Sequence, residues 1–142
     1  MSDDGKKVRV MLVDDHPAIL RQTIQLLPER FELVGISEDG ADLPATVQEL
    51  KPEIIVLDIT LPLVSGVELA RRLRATGCET KIIFLTVHAD PDYASEAFDV
   101  GASGYVIKPR LASDLVAALE AAEAGERFVS RCPELSQFAN DR

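Results

Sequence analysis

No uncharged apolar run is longer than the five residues Leu115–Leu119, which excludes a membrane-spanning helix of about 20 apolar residues. The N-terminus, MSDDGKKVR, lacks the apolar core of a signal peptide. Cysteine is scarce: Cys78 and Cys132 are too few for a disulfide scaffold or a zinc site of about four ligands. Both are expected to be reduced thiols in a cytoplasmic protein. Basic excess is also missing. The 15 Lys and Arg are scattered against 24 Asp and Glu, a net charge of −9, which argues against nucleic-acid binding by this segment. What is present is an ordinary globular balance, 46% hydrophobic and 27% charged. A chain of 142 residues suits one domain with one core.

Two kinds of segment alternate. Apolar, β-branched runs occur at Val8–Val13, Leu33–Ile36, Ile54–Leu57, Ile82–Leu85 and Tyr105–Ile107. Runs apolar on both faces suit strands buried on both sides of a parallel sheet. Between them lie helical patterns: Leu43, Val47 and Leu50; then Leu69, Ala70 and Leu73; then Leu111, Leu115, Ala118, Leu119 and Ala122. Ser65-Gly66 and Asp90-Pro91 read as helix starts, Gly101 and Gly125 as helix ends, and Lys51-Pro52 as a helix-to-strand break. The expectation is an α/β fold: a single doubly wound domain of five βα units, with a five-stranded parallel sheet between two helical layers. Residues 1–7 read as an N-terminal tail and 8–129 as the domain. The aperiodic stretch 130–142 reads as a frayed tail or the start of a linker.

In such a sheet ligands bind beyond the carboxyl ends of the strands. The first run ends in Asp14-Asp15, the third in Asp58, the fourth in Thr86 and the fifth in Lys108. Three carboxylates, a hydroxyl and an ammonium therefore converge on one rim. Crowded carboxylates repel one another by a few kcal/mol per close pair at an effective dielectric near 20. A divalent cation relieves that, and Mg²⁺ favours such hard oxygen ligands. One carboxylate can then act as nucleophile toward a phosphoryl group, with Lys108 and Thr86 meeting the transferred oxygens.

VMLVDDHP at Val10–Pro17, IIVLDITLPLVSG at Ile54–Gly66, IIFLT at Ile82–Thr86 and GYVIKP at Gly104–Pro109 resemble the receiver domains of response regulators, the CheY-like fold. The resemblance implies a strand order of 2-1-3-4-5. It makes Asp58 the phosphoacceptor of a two-component system, supplied by a sensor histidine kinase. Asp14, Asp15, Asp58 and the backbone carbonyl of Thr60 would hold Mg²⁺. Thr86 and Lys108 would contact the phosphoryl group, and Tyr105 would be the switch aromatic, turning from solvent to a buried position as Thr86 is drawn inward. It also implies a cis Lys108–Pro109 peptide. The DDHP start, the segment Asp90-Pro91-Asp92-Tyr93 and GASGYVIKP are similar to the NarL/FixJ subfamily. Its full-length members usually carry a C-terminal helix-turn-helix, which is not among these residues. Such a domain is regulatory rather than an enzyme. It would pass its signal to a DNA-binding output domain in a longer chain, or else to a protein partner, with a phosphorylation-dependent homodimer as a further expectation. Two departures stand out. Val87 follows Thr86 where a small residue is common and would narrow phosphodonor access, and Leu61 replaces a common Met.

Each residue also has a plainer reading. Asp15 can cap the first helix, Asp58 can be a buried structural carboxylate, Lys108 a solvated lysine, and Thr86 a strand former. His16, before Pro17, reads as a loop residue rather than a metal ligand. His88 is a candidate for the pocket mouth, and Cys78 reads as an inert thiol. The competing activity is an Asp-nucleophile phosphohydrolase of haloacid-dehalogenase type. That needs a second Asp two residues after the nucleophile as general acid, where this sequence has Thr60. A flavodoxin-like cofactor carrier would need a Ser/Thr/Gly-rich phosphate loop where Asp14-Asp15-His16-Pro17 stands.

Overall fold

The computed structural model describes residues 7–138. Five βα units follow in order: β1 (Val8–Val13), α1 (Pro17–Leu26), β2 (Phe31–Ser37), α2 (Leu43–Leu50), β3 (Ile54–Asp58), α3 (Gly66–Ala75), β4 (Lys81–Thr86), α4 (Pro91–Asp99), β5 (Gly104–Ile107) and α5 (Leu111–Glu123). All strand pairings are parallel. The inner strands β1, β3, β4 and β5 are buried on both faces because most residues on each face are apolar. Met11, Val13, Ile55, Leu57, Ile82 and Phe84 pack under α2, α3 and α4. Val10, Leu12, Ile54, Val56, Ile83 and Leu85 pack under α1 and α5.

Local chemistry sets the helix ends. Ser65 Oγ accepts from the Glu68 amide at 3.1 Å and Asp90 Oδ1 from the Asp92 amide at 2.8 Å, so both expected starts are side-chain caps. Gly101, at φ +84°, takes the left-handed turn that ends α4. Lys51 takes the same conformation after α2 without being glycine, at φ 52°, and Pro52 then prevents the helix from continuing.

Three expectations need correction. First, the sheet has six strands, in the order β2-β1-β3-β4-β5-β6, where β6 is Phe128–Val129. Five strands would leave the outer edge of β5 with unpaired backbone groups, and β6 covers it, pairing Gly104 with Phe128 and Tyr105 with Val129. Second, the stretch beyond Val129 is docked as far as it is described. A 3₁₀ turn at Pro133–Phe138 sinks Leu135 to 1% exposure, and the Phe138 ring lies 5.8 Å from that of Phe98 on α4. Third, no peptide bond among the described residues is cis. Lys108–Pro109 is trans because Lys108–Arg110 form a 3₁₀ turn leading directly into α5. There the fixed φ of Pro109 fits a helical start.

Candidate functional site

The parallel sheet sends the ends of β1, β3, β4 and β5 to one rim, and the acidic pocket is built there. Asp58, the last residue of β3, is only 1% exposed. Its Oδ1 accepts from the Thr60 amide at 3.0 Å and its Oδ2 from Lys108 Nζ at 3.2 Å. Gly66 makes this bend possible: its amide donates to Ile59 O at 2.7 Å, and a Cβ there would stand 2.2 Å from Asp58 O. Burial raises the Asp58 pKa above the usual carboxylate value, and the Asp14 charge adds to the rise. The Thr60 amide and Lys108 oppose both.

Asp14 is also buried. Its Oδ2 lies 3.0 Å from Lys108 Nζ, yet outside hydrogen-bonding alignment, since that oxygen and Asp15 Oδ1 are buried without a hydrogen-bond partner. Ligand atoms of Asp14, Asp15, His16 and Asp58 all lie within 4.8 Å of one another. Orphaned carboxylate oxygens beside a third carboxylate are what a hard divalent cation neutralises, so the residues present fit Mg²⁺. The pocket thus brings a buried carboxylate, an ammonium and a cluster of acids within a few ångströms of one another.

The remaining expected residues are placed as follows. Thr60 is exposed and contributes its backbone amide to Asp58. Thr86 ends β4, fully buried, and its Oγ1 accepts from the His88 amide at 3.1 Å. Val87 is 61% exposed, so it flanks the rim, while Leu61 packs into the core. The His88 ring faces Tyr93, with centroids 5.0 Å apart. Cys78 Sγ lies 3.2 Å from Thr80 Oγ1. Tyr105, the expected switch aromatic, is wholly buried. Its hydroxyl donates to His88 O at 2.8 Å, its ring lies 6.5 Å from Phe98, and burial holds its phenol above the ordinary pKa.

Sequence reasoning missed two features. His16 is the loop and helix-start residue expected, at the N-cap of α1, but its approach to the acids, with Nδ1 2.8 Å from Asp14 Oδ1, is not in the pattern. A third buried carboxylate, Asp114 on α5, accepts from Arg110 and from Ser130 Oγ. The Arg110–Asp114 spacing of four residues on a helix was a readable signal. The approach of Ser130 was not.

A doubly wound sheet with a buried aspartate, paired acids and a lysine on its carboxyl rim defines a phosphoacceptor switch of the CheY-like class. Residues 10–120 match the response regulator receiver domain. The chain is 31% identical over 126 residues to the transcriptional regulatory protein DegU of Brevibacillus brevis, covering 87% of this chain and 53% of that one. It is 36% identical over 119 residues to a putative transcriptional regulator of Pseudomonas aeruginosa, covering 82% and 57%. Among solved structures, a two-component response regulator of the LuxR family from an Aurantimonas species is 36% identical, with a TM-score of 0.81 over 93% of this chain and 94% of that one. The non-phosphorylated receiver domain of RcsB from Escherichia coli is 26% identical, with a TM-score of 0.79 over 89% and 100%. The chain belongs to the response regulator receiver domains, regulatory modules of two-component signalling. It spans about half the length of the curated relatives it matches.

Proposed function

We propose that Asp58 is the phosphoacceptor and that the pocket couples its phosphorylation to the α4–β5 face. The observation that carries this is the Asp58 carboxylate held 3.2 Å from Lys108 Nζ beside acids with orphaned oxygens. An oxygen of Asp58 attacks the phosphorus of a phosphohistidine on a sensor histidine kinase. The P–O bond forms as the P–N bond breaks, and the departing imidazole recovers a proton. Lys108 and the Thr86 hydroxyl meet the phosphoryl oxygens. Asp14, Asp15, Asp58 and the Thr60 carbonyl would hold Mg²⁺, which supplies charge neutralisation when bound.

A phosphoryl group adds nearly two negative charges and new acceptor oxygens. The Thr86 hydroxyl, which accepts from the His88 amide, donates its proton to one of these oxygens, and His88 O in turn anchors Tyr105. The described conformation is the inward arm of the Tyr105 switch, and the outward arm is its alternative population. Helix α4 is a suitable moving part because its fully buried residues are two alanines, Ala94 and Ala97. The output is a DNA-binding module in a longer chain or a protein partner, and phosphorylation favours a homodimer.

A phosphohydrolase is disfavoured because Thr60, two residues past the nucleophile, offers a backbone amide and no acid. With acetyl phosphate and Mg²⁺, intact mass should show one phosphoryl adduct, absent in Asp58→Asn. Persistent labelling in that variant overturns the assignment, and sustained phosphoester turnover favours the phosphohydrolase.

A further inference from the structure

We propose that His16 is a nitrogen ligand of the acidic pocket and biases it toward transition-metal ions of the Ni²⁺ and Zn²⁺ kind relative to Mg²⁺. This rests on the reading of the pocket as a divalent-cation site. The His16 amide donates to Asp14 Oδ1 at 2.8 Å, which turns the chain so that the imidazole returns over the rim. Its Nδ1 then stands 2.8 Å from Asp14 Oδ1, 3.2 Å from Asp15 Oδ1 and 3.6 Å from Asp58 Oδ2. Adjacent ligands on an octahedral ion with bonds of 2.0–2.1 Å are about 3 Å apart, so the first two spacings suit neighbours in one coordination shell.

One further observation points to a cation: Asp14 Oδ2, on a side chain 4% exposed, and Asp15 Oδ1 have no hydrogen-bond partner. Lys108 Nζ lies 3.0 Å from His16 Nδ1 and 3.2 Å from Asp58 Oδ2, so it keeps a carboxylate acceptor when the imidazole lone pair goes to a metal. The ring has no competing duty in the core, being 54% exposed. Oxygen ligands alone suit Mg²⁺, whereas imidazole adds affinity for Ni²⁺ and Zn²⁺. His16 therefore selects among metals without being required for Mg²⁺.

The test is calorimetric titration of the untagged full chain with Ni²⁺ and with Mg²⁺, for the wild type, His16→Ala and Asp15→Asn. His88→Ala is the control, because His88 is the second of two histidines and its ring faces Tyr93. His16→Ala should lower Ni²⁺ affinity by about tenfold or more and leave Mg²⁺ within about twofold, with His88→Ala like the wild type. An Ni²⁺ to Mg²⁺ affinity ratio unchanged in His16→Ala overturns the proposal, as does a loss confined to His88→Ala. Asp15→Asn should weaken both metals; if it binds both like the wild type, the cation-site reading itself fails. A Zn²⁺-induced shift of the His16 Nδ1 nitrogen resonance should accompany the calorimetry. Without that shift the imidazole is no ligand.

Discussion

Two buried aspartates, each paired with a cation, have opposite surroundings in this molecule. Asp114 is saturated: Oδ2 accepts from Arg110 Nε at 2.9 Å and Ser130 Oγ at 2.7 Å, and Oδ1 from Arg110 Nη2 at 3.3 Å and Ser113 Oγ at 3.2 Å. Ser130 Oγ in turn accepts from the Ile107 amide at 3.1 Å, so this carboxylate ties α5, β5 and the stretch after β6 together. Asp58 has two donors and faces two further acids across a pocket with orphaned oxygens. Burial and a cationic neighbour therefore do not distinguish the two carboxylates. Unused lone pairs and adjacent like charge do.

The contrast can be broken in four places. The largest effect is expected from Gly66→Ala, whose Cβ would meet Asp58 O at 2.2 Å. Backbone at that position must move, at a cost of about 1–3 kcal/mol. Asp58 moves with it, so phosphoryl labelling by mass should be strongly slowed while the Asp114 network stays intact.

Asp114→Ala comes next. It leaves Ser130 Oγ without its carboxylate acceptor and Arg110 without its partner. Arg110 is half exposed and can rehydrate, so urea denaturation should report a loss of about 1–3 kcal/mol. Asp58 should still accept a phosphoryl group in the folded variant.

Ser130→Ala is milder, about 1 kcal/mol in the same measurement. Hydrogen exchange at Ile107 should accelerate, because its amide loses its acceptor, and Ser130→Thr should restore the protection.

The smallest effect separates the two carboxylates by pH. With its pKa raised in the folded state, Asp58 ionises at lower pH in the unfolded chain. Folding is thus penalised increasingly as pH rises from the ordinary carboxylate value through the raised one, and fully above it. In metal-free solution Asp58→Asn should be more stable than the wild type at neutral pH, and that gain should vanish in acid. Asp114→Asn should instead lose stability, because Arg110 and Ser130 lose their carboxylate acceptor.

Much of the gathering of residues around Asp58 was legible residue by residue. Asp14, Asp58, Thr86 and Lys108 each end an apolar run, and parallel strands joined by crossover helices deliver such ends to a single rim. The Asp114 side was not, because Ser130 follows a strand of only two residues, Phe128–Val129, too short to show any period.

The sequence by itself therefore determined the alternation of strands and helices, the two apolar faces of the sheet, the helix caps at Ser65 and Asp90, and the edge on which the acids gather. These follow from local periodicity and capping. Tertiary structure alone decided the sixth strand, the trans Lys108–Pro109 bond, the inward Tyr105, the turn of His16 toward three carboxylates and the meeting of Ser130 with Asp114. The trans bond follows the turn into α5; the others depend on what a distant segment leaves unpaired or unfilled, such as the open edge of β5, the space beside Phe98 and the orphaned oxygens of the rim. Such needs exist only once the chain has folded.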